Sequence, residues 1–415
     1  MIQNVRGTKD ILPQDAFGWR FLETKIQNTV RLFGYGEIRT PLFEKTEVFS
    51  RGIGEVSDIV NKEMYSFEDR SGNSLTLRPE MTAALVRASI QNNLVHNNNV
   101  ERLWYYGPFF RYERPQKGRQ RMFHQFGVEC LGSENPESDA EVIVLADYLL
   151  KEIGIANYEL VINSIGDDEC RKEYSNELRN YLNRCKEDLS ADSQSRLDKN
   201  PLRILDSKDT NDQALIADAP KITDYLNEAS RASYQEIKNI LDSVGIVYRE
   251  DHNLVRGLDY YSDIVFEFKS TVLGAQDSFG GGGRYDSLFE QLGAGGRVPA
   301  VGFAIGIERL LIMMAENNLL PPDPGPDFFI VLGEHEENEY RAKIASILRG
   351  RGYSVIIDLQ RRSFKSQFKE ANRTNASYAI VVGSDEIENN IVTVKNMDDG
   401  NQFILPLSEL STYDF

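Results

Sequence analysis

The chain is short of cysteine, histidine and positive charge, and each shortage argues against a class of function. Its three cysteines, Cys130, Cys170 and Cys185, are odd in number and never stand as C-x-x-C, which speaks against a disulfide framework and a structural zinc site. Free thiols are expected. The four histidines, His96, His124, His252 and His335, never take the H-E-x-x-H spacing that sets two imidazoles on one helical face. No metal site is expected. Lysine and arginine number 47 against 64 acids, a formal net charge of -17. Nonspecific nucleic-acid affinity rests on cations neutralising phosphates, so a polyanionic partner must be held at local basic patches. No apolar run approaches the roughly 20 residues of a membrane span, and the opening M-I-Q-N-V-R lacks the apolar centre of a secretion signal. A cytoplasmic protein without a membrane partner is the expectation.

What is present suffices for a large core: 415 residues, 41% of them hydrophobic, are enough for about two or three domains. Trp19, Leu22, Ile26, Val30 and Phe33 recur every three or four positions, one stripe of an amphipathic helix. Residues 37–43 alternate like a strand, and Pro41 makes it an edge or a terminus. Residues 103–131 read as a long hairpin around the charged loop R-P-Q-K-G-R-Q-R at 114–121. Ser138 and Glu141 have capping-box spacing ahead of the apolar run 142–153, so a helix is expected there. Residues 166–251 are polar and mostly helical in pattern, an inserted helical module. Strands are expected at 264–268 and 300–305, the latter leading into a helix near Gly306. The run P-P-D-P-G-P at 321–326 supports no packed element and reads as a linker. It divides a domain of residues 1–320 from one of residues 327–415. In the latter, strands at 328–332, 355–357 and 379–382 alternate with helices around 336–349 and 363–374, the rhythm of a small parallel α/β domain.

Several residues could carry chemistry. On the strand 125–130, Gln125, Gly127 and Glu129 share one face and Phe126, Val128 and Cys130 the other. An amide and an acid separated by glycine make a floor for a small polar ligand, although an ordinary half-exposed strand would look the same. Arg111 ends the partner strand, where a guanidinium fork could hold a phosphate or carboxylate, or form a surface ion pair. Glu80 and Thr82 either recognise a substrate amine or cap the following helix. Arg256 stands among apolar and aromatic residues and needs an anion, which Asp259 or a ligand could provide. Arg309 lies in the first turns of a helix after a small-residue approach, with Glu308 as its alternative partner. The glycines at 280–283 have no following Lys-Ser/Thr and are no P-loop. They indicate a close approach of backbone to substrate or to a neighbouring strand. Far along the chain, Arg361, Arg362, Lys365, Lys369 and Arg373 are clustered, and the last three are spaced by four. That is a stripe able to grip a phosphate backbone, or a solvated helix face.

Taken in order, these segments resemble the bacterial histidyl-tRNA synthetases over nearly the whole chain. The start R-G-T-K-D at 6–10 is like theirs. Residues 36–41 look like class II motif 1, residues 110–127 like motif 2 and G-F-A-I-G-I-E-R at 302–309 like motif 3. L-V-R-G-L-D-Y-Y at 254–261 and G-G-G-R-Y-D at 281–286 are the family's histidine-specific segments. The resemblance implies an α+β catalytic domain with a six-stranded antiparallel sheet, flanking helices and a helical insertion, then a small α/β anticodon-binding domain. It also implies a homodimer joined through motif 1. L-Histidine, ATP with Mg²⁺, and tRNA(His) would be the partners. Glu80, Thr82 and Gln125 match positions that hold the amino group of histidine, and Glu129, Tyr260 and Tyr261 line its side-chain pocket. Arg111 and Arg256 match the catalytic pair on the α-phosphate, and Arg309 the ATP arginine of motif 3. Arg114, Gln116, Lys117 and Arg119 of the motif 2 loop would face tRNA, as would Lys365 and Lys369. Met81 stands where many members have glycine. The alternative is the synthetase-like regulatory subunit of ATP phosphoribosyltransferase, which usually lacks the intact 254–261 segment and the C-terminal domain.

Overall fold

The central element is an eight-stranded sheet in the order Gly36–Glu37, Glu101–Phe110, Met122–Leu131, Ala300–Gly306, Ser278–Arg284, Ser262–Lys269, Glu159–Ser164 and Arg249–Glu250. The six inner strands are antiparallel throughout, and the two-residue outer strands pair in parallel at either edge. This computed structural model describes residues 1–54, 57, 59–96, 99–258, 260–274, 277–322, 324–333 and 338–415. They form two units, Met1–Pro321 and Pro322–Phe415.

Alternation along the strands sorts side chains to the two faces of the sheet. Phe126, Val128, Phe266 and Phe303 are buried on one face, beneath the helices Pro13–Leu32, Pro136–Glu152, Glu228–Ser243 and Ile307–Glu316. Leu103, Tyr105, Val161 and Val265 join a second core with the helix Thr82–Gln91 and the insertion. The stripe expected from Trp19 to Phe33 is the buried face of Pro13–Leu32, with Leu22 and Ile26 fully buried.

Three expectations change. Residues 37–43 are not one strand: Gly36–Glu37 ends at the large sheet, and Phe43–Lys45 joins Ser74–Leu77 and Tyr65–Glu68 in a separate small sheet. Pro41 sits between them without an N–H for either ladder. The helix expected near 142 already begins at Pro136, with Asn135 as N-cap. Proline suits the first helical turn, and Ser138 accepts from Arg284 Nη2 (3.1 Å) instead of acting as a cap. The helical insertion is not one module either. Asp168–Asn183, Ala191–Leu197 and Thr210–Ile216 share the second core, and Asp212, fully buried in the last of them, accepts from Ser190, Ser193 and Ser207 hydroxyls at 2.6–2.7 Å. Glu228–Ser243 instead places Tyr234, Ile237 and Leu241 in the core under the large sheet.

In the second unit, Phe328–Leu332 pairs in parallel with Val355–Ile357 and Tyr378–Val382. Ile391–Asn396 and Gln402–Pro406 then extend the sheet antiparallel. The sheet is therefore mixed, because the last connections are too short for a crossover helix. Helices Asn338–Gly350 and Phe364–Arg373 cover it, and the expected helical positions 336 and 337 lie outside the described residues.

Candidate active site

A cavity of about 690 Å³ opens over the Gln125–Glu129 face of the large sheet. Glycines make its floor thin. Gly302 pairs opposite Glu129, and a Cβ there would run into the Glu129 carboxylate and the Val128 carbonyl. A Cβ on Gly127 would meet the Tyr105 hydroxyl, and one on Gly281 would come within 2.9 Å of Arg256. The glycine run is thus a central strand that lies close to its neighbours and to a cavity-lining side chain.

At one end of the cavity Glu129 is almost completely buried. Its two oxygens accept from Thr82 Oγ1 (2.8 Å) and Tyr285 OH (2.6 Å). Burial pushes its carboxyl up to about 8, and the two hydroxyl donors only partly oppose that. Tyr260 is buried beside it, 4.7 Å from the Tyr261 ring and 5.6 Å from the Tyr285 ring. Glu80 borders the same space, yet its oxygens accept the Thr82 and Ala83 amides at 2.5 and 2.9 Å. It caps the helix Thr82–Gln91 and lines the cavity at once. Met81 turns its sulfur toward Thr40 Oγ1 (3.4 Å) and Arg78 Nη1 (3.6 Å).

At the other end guanidinium groups collect. Arg256 Nη1 donates to Glu267 Oε1 at 2.8 Å, so its anionic partner is Glu267; Asp259 lies outside the described residues. Ser278 Oγ (2.7 Å) and Lys269 Nζ (3.2 Å) complete the shell of Glu267. Burial would raise the Glu267 carboxyl, but Arg256, Ser278 and Lys269 outweigh it and hold the group below its ordinary value. Arg111 donates from Nε to the Pro79 carbonyl (2.9 Å), with its guanidinium 5.3 Å from the Phe123 ring. Arg309 donates to the carbonyls of Gly118 (3.0 Å) and Ser278. Glu308 does not pair with it but accepts from His124 Nδ1 at 3.0 Å. Burial, then the nearby Arg119 and Arg111, depress the Arg309 guanidinium. Glu113 and Glu267 only partly offset this, so the half-buried guanidinium gains from a further anion.

Among the motif 2 loop residues, Arg114, Gln116 and Lys117 are exposed, and Lys117 pairs with Glu316 at 2.9 Å. Arg119 differs: it borders the cavity and meets Glu113 at 2.5 Å. Alternation could not reveal this, since the Gln116–Arg119 bridge closes a tight turn around Gly118. In the second unit Lys365 and Lys369 are exposed one helical turn apart. Arg373 is held by Glu370, and Arg362 by Glu370 and Asp358. Tyr285, Tyr105 and Glu267 were not singled out from the sequence. Glu267 had a signal, a lone acid inside the apolar strand 264–268. Among the described residues no group of three His, Cys, Asp or Glu could hold a metal ion.

An antiparallel sheet with a glycine-lined floor, arginines from its hairpin and its last strand-to-helix step, and a separate mixed α/β unit define a class II aminoacyl-tRNA synthetase. The family described as Histidyl-tRNA synthetase matches residues 7–310, and the Anticodon binding domain family matches residues 328–413. The Histidine--tRNA ligase of Bacillus subtilis (strain 168) is 48% identical over 97% of this chain and 96% of its own length. The apo histidyl-tRNA synthetase of S. aureus superposes with a TM-score of 0.85 at 40% identity, covering 100% of this chain and 99% of that one. A Bacillus halodurans C chain described as an ATP phosphoribosyltransferase regulatory subunit/histidyl-tRNA synthetase gives 0.66 at 23% identity over 92% of this chain and 99% of its own, a likeness of fold. The chain belongs to the histidyl-tRNA synthetase family.

Proposed function

We propose that this chain activates L-histidine with ATP and then transfers histidyl to the 3′ end of tRNA(His). The reading rests on one observation: a buried, hydroxyl-lined carboxyl, Glu129, shares a cavity with Arg111, Arg256 and Arg309. An oxygen of the histidine carboxylate attacks the α-phosphorus, the bond to the bridging oxygen of pyrophosphate breaks, and pyrophosphate leaves with the electron pair. Two anions must meet, so alignment and fixed cations carry most of the catalysis. Arg111 and Arg256 take the α-phosphate, and Arg309 the remainder of ATP. Mg²⁺ carried by the triphosphate would supply charge neutralisation for the leaving group. In the second step the terminal ribose hydroxyl attacks the carbonyl carbon and AMP leaves.

Glu129 and Tyr261 read the imidazole, with Tyr260 walling the pocket, and Glu80, Thr82 and Gln125 receive the amino group. An amino acid that offered Glu129 no donor in place of the imidazole would bind more weakly. Arg114, Gln116, Lys117, Lys365 and Lys369 are the RNA contacts; Arg119 belongs with the phosphates. Exposed Leu42 and Phe43 beside motif 1 fit a homodimer contact. No helix among the described residues is long and apolar enough to cross a membrane, and a cytoplasmic location goes with this reading. ATP–pyrophosphate exchange with each amino acid in turn is the test. Exchange supported by histidine alone is expected, and exchange with another amino acid, or with none, would overturn the reading in favour of a different substrate or of the regulatory subunit.

A further inference from the structure

The described residues of the segment 254–261 border two cavities. One is the main cavity; the other, of about 290 Å³, is lined from the insertion by Arg171, Lys172 and Arg203 and shares Arg256, Leu258 and Tyr261 with the first. Among the described residues, no backbone–backbone hydrogen bond outside helices and strands involves residues 255–258. Leu254 and Tyr260 are buried anchors, but a segment with space on both sides is not located by packing alone. Side chains hold its carbonyls instead. Asn163, on the strand Glu159–Ser164, donates to the carbonyls of His252 (3.3 Å) and Leu254 (3.0 Å) at the start of the segment. Arg203 Nη2 donates to the Gly257 carbonyl at 2.7 Å, and Arg171 Nη1 to the Tyr261 carbonyl. Arg171 is itself oriented by Asp168, which also pairs with Arg297. The sheet therefore fixes where the segment begins, and two arginines of the insertion fix the part that carries Arg256 and Tyr261.

From this we infer that Arg171 and Arg203 are positioning residues of amino-acid activation, through which the helical insertion sets Arg256 and Tyr261 against the substrates. This rests on the activation reaction proposed above. Guanidinium donors suit the role because a charged donor makes a stronger bond to a carbonyl than a neutral one, and a planar fork fixes direction. The insertion is then part of the adenylation machinery even before any RNA is bound.

The test is histidine-dependent ATP–pyrophosphate exchange in the full-length chain, without tRNA, for Arg171→Ala, Arg203→Ala, Arg171→Lys, Arg203→Lys and Lys172→Ala. Loss of one charge-assisted bond at this segment should lower kcat about tenfold or more in the alanine variants. KM for histidine should rise through Tyr261, while KM for ATP stays within about twofold. Lysine should recover part of the rate, and Lys172→Ala, in the same cavity but with no bond to the segment, should match the parent. Thermal melting of each variant separates a positioning effect from a folding effect. If the alanine variants do not fold, the lysine variants decide, with the same pattern at smaller size expected. Parental kinetics in the arginine variants, or losses equal for both substrates and proportional to a lower melting point, would overturn the inference while leaving the activation reading intact. A parent chain with no histidine-dependent exchange would overturn that reading, and this inference with it.

Discussion

Two glutamates lining the same cavity are driven in opposite directions. Glu129 meets only neutral hydroxyls, from Thr82 and Tyr285, and its carboxyl rises to about 8. Glu267 meets Arg256 and Lys269 and falls below its ordinary value. Burial pushes both upward, more strongly at Glu129, and only Glu267 has cationic partners that outweigh it. The two ends of the cavity are accordingly prepared for different ligands. Under the proposed function the Glu129 end, where no described cation neighbours the carboxyl, takes a donor from the substrate, and the cations around Glu267 serve the phosphates.

The largest effect is expected at the Arg256 end of the cavity. Arg256→Ala should lower the histidine-dependent exchange rate by about 10²–10³ with little change in KM for ATP, since this arginine acts on charge that peaks in the transition state. Normal exchange kinetics would reduce Arg256 to a structural partner of Glu267. At the opposite end, Glu129→Ala should raise KM for histidine about 10–100-fold and leave KM for ATP nearly unchanged. Equal losses for both substrates would instead mean that the strand no longer packs.

A pH series sharpens the same contrast. With its carboxyl near 8, Glu129 holds a proton at pH 7 in the free chain, and a donor from bound imidazole favours the ionised form. Binding histidine should therefore release a proton. Affinity should rise between pH 7 and 8 by no more than about tenfold, level off above, and lose this slope in Glu129→Gln. Calorimetry in buffers of different ionisation enthalpy measures the released proton directly, and zero release by the parent would refute the assignment. The smallest effect is expected in the second unit, where acids already hold Arg362 and Arg373. Lys365→Glu with Lys369→Glu should weaken tRNA binding and reduce its log–log salt slope by up to about 2. Exchange without tRNA should be unaffected, and an unchanged salt slope would assign that helix face to solvent.

Much of this was legible because strand alternation is a local rule. Gln125, Gly127 and Glu129 could be placed on one face, and Phe126, Val128 and Cys130 in the core, from order alone, and the hairpin and the strands 328–332 and 355–357 follow the same logic. Arg256 was visibly in need of an anion because its neighbours are apolar. Its partner was not visible. Asp259 is three residues away in the chain, whereas Glu267 reaches Arg256 from the adjoining strand. Arg119 likewise looked like a loop cation until the turn at Gly118 brought it against Glu113.

Most element types and the faces of the central strands could be read from chain order, because they depend on periodicity, while the class of ligand followed only from the resemblance of the ordered motifs to one family. Only the tertiary structure decided which acid neutralises which arginine, that Tyr285 shares Glu129 with Thr82, and that the insertion grips the carbonyls of residues 257 and 261. Several of those contacts join residues more than fifty positions apart. Their energies depend on distance and burial, which chain order does not encode.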